Sequence, residues 1–598
     1  MVIAANFRVF TVPICYKHNN YSIKNSDICI SKYTKMKEKL FIYQVLPRLF
    51  GNNKDINKEN GTLEENGTGK FSAFDNKALK EIKKMGFTHI WYTGILEHAS
   101  KTDYSAHGIS KDNPDVIKGN AGSPYAIRDY YDVSPDLADV VEDRIAEFEG
   151  LVDRTHKNGM KVIIDFVPNH VARQYHSDAK PRKVKDFGED DDPTIAFDPD
   201  NNFYYIPNQK LELQFPVQQG DGAYVEYPAK ATGNNCFTNK PGINDWYETV
   251  KLNYGVDYNH GKTNCFMPVP DTWLKMQDIL LYWTSKGVDG FRCDMAEMVP
   301  VEFWNWVIPK VKAKNKSLIF IAEVYDPAQY HNYVHWGLFD YLYDKVDLYD
   351  TLRDVICGYK PASEITFCWQ RIGDLQSKML NFLENHDEQR IASDFFAGDA
   401  FKAIPGMITA ATMHTNPVMI YFGQELGERG MDKEGFSGLD GRTTIFDYWS
   451  VDSVRKWRSN GSFGNGNLTQ EQVKLRKFYV QLIQIAKEES ITSGKFFDLM
   501  YHNYENPEFD SSKQYAFLRS GKKEFILVVA NFAPYASEIS VHIPSEAFDY
   551  MGIEPQRIKN AKELFSKKNI PLSSRWDKAL YINMESYSGK IIKFTVGQ

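Results

Sequence analysis

One phrase recurs along this chain: an amphipathic helix, a glycine, then a short apolar strand that ends in polar residues. Its first copy sets Leu79, Ile82 and Met85 at helical spacing, then Gly86, then His89-Ile90-Trp91-Tyr92. A second copy has Ile145, Phe148 and Val152, then Gly159, then Lys161-Val162-Ile163-Ile164-Asp165. A third helix between Leu274 and Trp283 leads through Gly287 to Asp289-Gly290-Phe291-Arg292-Cys293-Asp294. A fourth, from Phe303 through Val311, leads to Leu318-Ile319-Phe320-Ile321-Ala322-Glu323. Helical spacing with a glycine stop, followed by a near-continuous apolar strand, implies a parallel sheet buried on both faces. Residues 40–46 open the series and 341–343, 379–383 and 418–422 close it, giving eight expected strands. Eight such strands predict an α/β fold, a closed (β/α)8 barrel of the TIM type whose chemistry collects at the carboxyl ends of its strands.

Two stretches break the rhythm. Residues 172–271 are rich in Tyr, Asn, Asp and Pro and lack helical periodicity. A hundred such residues after the third strand exceed a loop and predict an inserted domain. Beyond residue 495, runs such as Gln514-Tyr515-Ala516-Phe517-Leu518-Arg519 and Phe525-Ile526-Leu527-Val528-Val529-Ala530 read as short strands between turns. They predict an antiparallel C-terminal β-sandwich over 496–598. The barrel then occupies 37–171 and 272–495. Residues 1–36 are expected to lie outside the fold, with Met36 as an alternative start.

The net charge of −7 argues against nucleic acid as a partner, and no apolar run is long enough to span a membrane. Residues 2–14 lack a basic head and contain Arg8, so they make a poor export signal, and the cytoplasm is the expected compartment over the periplasm or the exterior. Seven cysteines without CxxC spacing form neither a disulfide framework nor a zinc site; Cys236 and Cys265 could pair, but reduced thiols are expected. Nothing in the pattern fixes an oligomeric state. Aromatic residues reach 14%; their flat faces suit the apolar C–H faces of sugar rings, although most such rings serve a core.

Four strand ends carry chemistry. Arg292 and Asp294, two apart on one strand, leave the same face, and the guanidinium is expected to keep the carboxylate ionised, as a glycosidic nucleophile requires. Glu323 ends the next strand after mostly apolar residues; partial desolvation near Asp294 would suit a general acid. Asn385-His386-Asp387 closes the seventh strand with groups able to bond adjacent sugar hydroxyls, and Asp165-Phe166-Val167-Pro168-Asn169-His170 closes the third. Each alone reads equally as an ion pair or a polar turn. Together, on one barrel rim, they point to a sugar-cleaving site.

With these motifs in this order, and with Gly86-Phe87-Thr88-His89-Ile90-Trp91 and Tyr421-Phe422-Gly423-Gln424-Glu425-Leu426-Gly427, the chain resembles the α-amylase family, glycoside hydrolase family 13, from about residue 40 onward. It resembles in particular the bacterial α-amylase, neopullulanase and cyclomaltodextrinase part of that family. The resemblance implies a retaining α-glucoside hydrolase acting on starch-like α-1,4-glucans and maltooligosaccharides. Asp294 would be the nucleophile, Glu323 the acid/base and Asp387 the transition-state stabiliser, with Tyr125, His170, Arg292 and His386 binding substrate. It also implies Ca2+ as a cofactor, with Asn169 as one ligand at the join of barrel and insert. A second oxygen-rich stretch, 52–66, reads better as a solvated turn. The chain departs from the family where many members carry Lys-His after the nucleophile: Glu297 and Met298 stand there. A 4-α-glucanotransferase or glucosyl isomerase would use the same residues, and a non-catalytic glucan-binding or transporter subunit would be expected to lose one of the carboxylates.

Overall fold

Asp75 opens the helix Asn76–Met85 by accepting hydrogen bonds from the Lys77 and Ala78 amides at 2.9 and 2.8 Å, and Gly86 closes it in the left-handed region, φ 115°. Between those caps Ala78, Leu79, Ile82 and Met85 form the buried face of the helix. The computed structural model describes residues 39–215, 222–521, 524–572 and 579–596; the segment 1–36, the alternative start at Met36, Cys15 and Cys29 lie outside the described residues.

Eight parallel strands result: β1 Phe41–Val45, β2 His89–Tyr92, β3 Lys161–Phe166, β4 Gly290–Cys293, β5 Ile319–Ala322, β6 Tyr341–Tyr343, β7 Met379–Leu380 and β8 Val418–Tyr421. Each pairs with its successor in the chain, and β8 returns to β1. Between β7 and β8 closure rests on a bridge, in which the Met419 amide donates to the Asn381 carbonyl at 2.9 Å. Only Lys161 among these strand residues is exposed, as a sheet with both faces covered requires. Strand β7 is shorter than the expected 379–383: beyond Leu380 only the Asn381 bridge to β8 continues the pairing.

Two additions sit on this frame. After β2, Leu96–His98 pairs antiparallel with the fully buried Ile127–Val133, which carries the chain past Tyr125. After β3, His170–Ala172 pairs antiparallel with Thr249–Lys251, Tyr205–Ile206 with Ala229–Lys230, and Val256–Asp257 with Thr263–Asn264. No α-helix occurs between them among the described residues. At the carboxyl end, β9 Lys495–Asp498, β10 Gln514–Ser520, β11 Glu524–Asn531, β12 Ser537–His542, β13 Ile558–Glu563, β14 Asn569–Ile570, β15 Ala579–Met584 and β16 Ser588–Val596 make antiparallel sheets. Their order is β9-β10-β11-β16-β13-β14 in one and β12-β15 in the other, the layers of a β-sandwich. Cys236, Cys265, Cys293, Cys357 and Cys368 are all free thiols.

Candidate active site

In-register pairing brings the strand ends together. Arg292 lies opposite Asp165 on one side and Ile321 on the other, so the next residues of β4 and β5, Asp294 and Glu323, emerge side by side. Arg292 is wholly buried and holds both: Nη1 donates to Asp294 Oδ1 at 2.6 Å, and Nη2 lies 2.8 Å from Glu323 Oε2 as an ion pair. Its Nε donates to the Tyr343 hydroxyl at 3.1 Å, and the rings of Trp91, Tyr125 and Tyr343 surround the guanidinium at 5.3–5.5 Å. An arginine so fixed cannot swing away, and adjacent nitrogens of one planar group set the spacing of the two carboxyls.

Glu323 is held from two further sides. The Tyr325 hydroxyl donates to Oε1 at 2.6 Å, and the Met295 amide donates to Oε2 at 2.8 Å. To aim that amide, Met295 takes a left-handed φ of 42°, an uncommon conformation for a residue with a side chain and one that clusters at functional sites. Glu297 takes part as well. Its carboxylate accepts from the Tyr325 and Asp326 amides at 3.0 and 3.1 Å, bracing the loop just beyond Glu323.

His386 and Asp387 complete the rim. The Gln44 amide donates to His386 Nδ1 at 2.8 Å, which leaves the ring proton on Nε2, 2.5 Å from the Tyr125 hydroxyl and 3.1 Å from Asp387 Oδ2. The Tyr125 ring stacks on His386 with 5.2 Å between centroids. A cavity of about 250 Å3 opens above, lined by Tyr125, His170, Asp294, Glu323 and Asp387, with Lys118, Trp246, Glu248, Tyr325, Phe436, Ile445 and Phe446 around them. Arg292 and His386 support it from beneath. All seven residues singled out for catalysis and substrate binding therefore meet at one place.

The electrostatics differ from the expectation for Asp294. Burial pushes its carboxyl well above the usual carboxylate range, and the nearby charges of Glu323 and Asp387 add to that; Arg292 opposes the rise without cancelling it. Burial likewise pushes Asp387 up to about 7 and Asp165 up to about 6. Buried His386 is held well below its ordinary value and His170 down at about 3, so both rings are neutral. One guanidinium thus faces several crowded carboxyls, and the cluster retains a proton near neutral pH.

Asn169 lies behind His170, outside the cavity lining. Its Oδ1 accepts from Lys251 Nζ at 2.6 Å and its Nδ2 donates to the Gly233 carbonyl at 2.8 Å. Calcium requires six to eight oxygen ligands, commonly including carboxylates. Here the one side-chain oxygen is already taken by an ammonium, and among the described residues no carboxylate pairs with Lys251. This donor set does not fit calcium. In the 52–66 stretch the oxygens are also spent internally: Asn52 Oδ1 accepts from the Lys54 amide, and Lys54 Nζ donates to the carbonyls of Glu64 and Glu65.

Sequence reasoning passed over Gln44, Tyr325, Trp246 and the wall Phe436, Ile445 and Phe446. Tyr325 could have been found, two residues beyond Glu323 in the same strand-end loop. The others come from distant segments with no local signature.

Comparison with known proteins shows the family. The model of the alpha-amylase catalytic domain matches residues 44–499. The α-amylase MalA of Haloarcula japonica is 24% identical over 65% of this chain and 44% of its own length. A 4-α-glucanotransferase of Thermotoga maritima is 22% identical over 65% of this chain and 72% of its own. This chain spans about half the length of the curated relatives it matches. Among solved structures, a maltogenic α-amylase of Thermotoga neapolitana superposes with a TM-score of 0.57 at 21% identity, covering 93% of this chain and 99% of its own. The chain is an enzyme and belongs to the α-amylase family of glycoside hydrolases and transferases.

Proposed function

We propose that this enzyme hydrolyses α-1,4-linked glucans such as maltooligosaccharides with retention of anomeric configuration. The observation that carries the reading is Arg292, which holds Asp294 and Glu323 through adjacent nitrogens on the floor of a cavity that Asp387 faces. Retaining glycosidases keep their two carboxyls about 5–5.5 Å apart, close enough for one to attack while the other protonates.

In the first step Asp294 Oδ bonds to the anomeric carbon and the glycosidic C–O bond breaks. Its oxygen leaves with the proton from Glu323. In the second, water attacks the same carbon, gives its proton to Glu323, and the bond to Asp294 breaks. Attack requires the cluster's proton to rest on Glu323 and Asp294 to be ionised. The hydrogen bond from Arg292 Nη1 favours the ionised form of Asp294, and the Tyr125 ring stacked on His386 offers a flat face to the sugar. Asp387 and His386 Nε2 supply an acceptor and a donor for ring hydroxyls.

Transfer to a second sugar is favoured by a different observation, the apolar rim of Trp246, Tyr325, Phe436, Ile445 and Phe446, which would exclude water from the glycosyl intermediate. A time course on maltotriose and maltoheptaose, with anomeric configuration followed by proton NMR, separates the two. Early short α-anomers support hydrolysis; longer oligosaccharides support transfer with the same residues. Early β-anomers, or an Asp294→Asn variant with full activity, would overturn the mechanism.

A further inference from the structure

We propose that Lys251 is a built-in cation at the join of barrel and insert, its ammonium standing where the resemblance led us to expect calcium. Lys251 ends the strand Thr249–Lys251, directly opposite His170 in the antiparallel pair that ties the insert to the end of β3. It is only 2% exposed and no carboxylate among the described residues neutralises it, so burial, with the charge of Lys262 beside it, lowers its pKa to about 7 and it carries its charge below that pH. Among the described residues its Nζ donates to Asn169 Oδ1 at 2.6 Å, and the Tyr258 ring lies 5.7 Å from the ammonium, within reach of a cation–π contact. Asn169 also accepts at its carbonyl from the Leu252 amide at 2.9 Å and donates from Nδ2 to the Gly233 carbonyl at 2.8 Å. A single asparagine therefore meets three points of the insert, and the charged one is Lys251.

The arrangement has the attributes of a structural cation site with the ion replaced by a side chain. A buried ammonium is stabilised by what surrounds it only if those groups are fixed acceptors or aromatic faces, and both are present. A divalent ion brought to Asn169 Oδ1 would meet an ammonium at hydrogen-bond distance and no carboxylate to offset it. Because His170 follows Asn169 and lines the cavity, Lys251 is a positioning residue for the substrate side of the site as well as a clasp. The 52–66 stretch repeats the pattern on the surface, where the Lys54 ammonium takes carbonyl oxygens of Glu64 and Glu65.

The test compares thermal unfolding of the full chain in chelator and in millimolar calcium chloride, for the wild type and for Lys251→Met, Lys251→Arg and Asn169→Ala. The wild type should show no calcium-induced rise that depends on Asn169. Lys251→Met should fall by about 3 °C or more, since it leaves a buried carbonyl oxygen unpaired, and Lys251→Arg should recover part of the loss. A calcium-induced rise that disappears in Asn169→Ala would place the ion at this junction and overturn the proposal. A rise that persists in Asn169→Ala locates calcium elsewhere and supports it. Unchanged stability of Lys251→Met would overturn the clasp without requiring any activity measurement. A kinetic arm rests on the glycosidase reading: Lys251→Met should raise KM for maltoheptaose several-fold while kcat holds. No glucan turnover by the wild type would count against that reading and leave the thermal comparison intact.

Discussion

Asp387→Asn separates stability from catalysis in one substitution. Burial and the charge of Glu323 push the Asp387 carboxyl from its usual 3.8 up to about 7. A carboxyl raised in this way is protonated in the native state and ionised in the unfolded chain between those two values. The native state then binds more protons, so its stability falls as pH rises through the window from about 4 to about 7. Carried in full, that rise corresponds to about 4 kcal/mol at about 1.4 kcal/mol per pH unit. The side chain is 32% exposed to the cleft, so water screens part of the cost, and about 1–2 kcal/mol is the expected effect. Asparagine keeps the shape and removes the charge. The variant should unfold at a higher temperature than wild type near neutral pH, with the gain shrinking to nothing at about pH 4, while kcat/KM falls about a thousandfold. Thermal unfolding of both proteins across that pH range is the assay. A variant that is less stable at neutral pH, or a gain that does not vary with pH, would refute the picture of crowded, strained carboxyls.

Three further outcomes follow from the same geometry. Glu297→Ala removes the acceptor bracing the Tyr325 and Asp326 amides, so kcat should fall about tenfold while Glu297→Gln, which keeps an acceptor oxygen, retains most of it; equal rates in steady-state assays would refute the brace. Gln44→Leu removes the donor to His386 Nδ1 and frees the ring to take the other tautomer, so kcat/KM on maltoheptaose should drop about tenfold, with little change in thermal midpoint. Glu384→Ala strands Arg390, a fully buried cation that donates to Glu384 Oε2 at 2.8 Å, to the Phe422 carbonyl at 2.9 Å and to Thr443 at 2.8 Å. Denaturant unfolding should show a loss of about 3–5 kcal/mol, and a loss below about 1 kcal/mol would mean the pair adds nothing.

The barrel was legible in sequence because its determinants are local. Helical spacing in Asn76–Met85, the stop at Gly86 and the apolar strand beyond it are read within twenty residues, and each is set by capping and periodicity rather than by distant contacts. The candidate carboxyls were legible for a related reason: Asp294, Glu323 and Asp387 each follow a strand, and a parallel barrel sends all strand ends to one rim. The pairing Leu96–His98 with Ile127–Val133 was missed because its partners lie about thirty residues apart and its register is bulged.

What tertiary structure alone decided is the balance of charge and the company each side chain keeps. The sequence places Arg292 beside Asp294, which by itself implies an ionised carboxylate; only the fold shows that burial and two further carboxyls outweigh the guanidinium. The sequence likewise shows Asn169 at the end of β3, but nothing near it announces that Lys251, some eighty residues later, delivers an ammonium to its oxygen. Periodicity and capping act over one or two turns and leave a trace in the order of residues. Desolvation and charge crowding depend on which chain segments meet in space, and that is fixed only when the barrel closes.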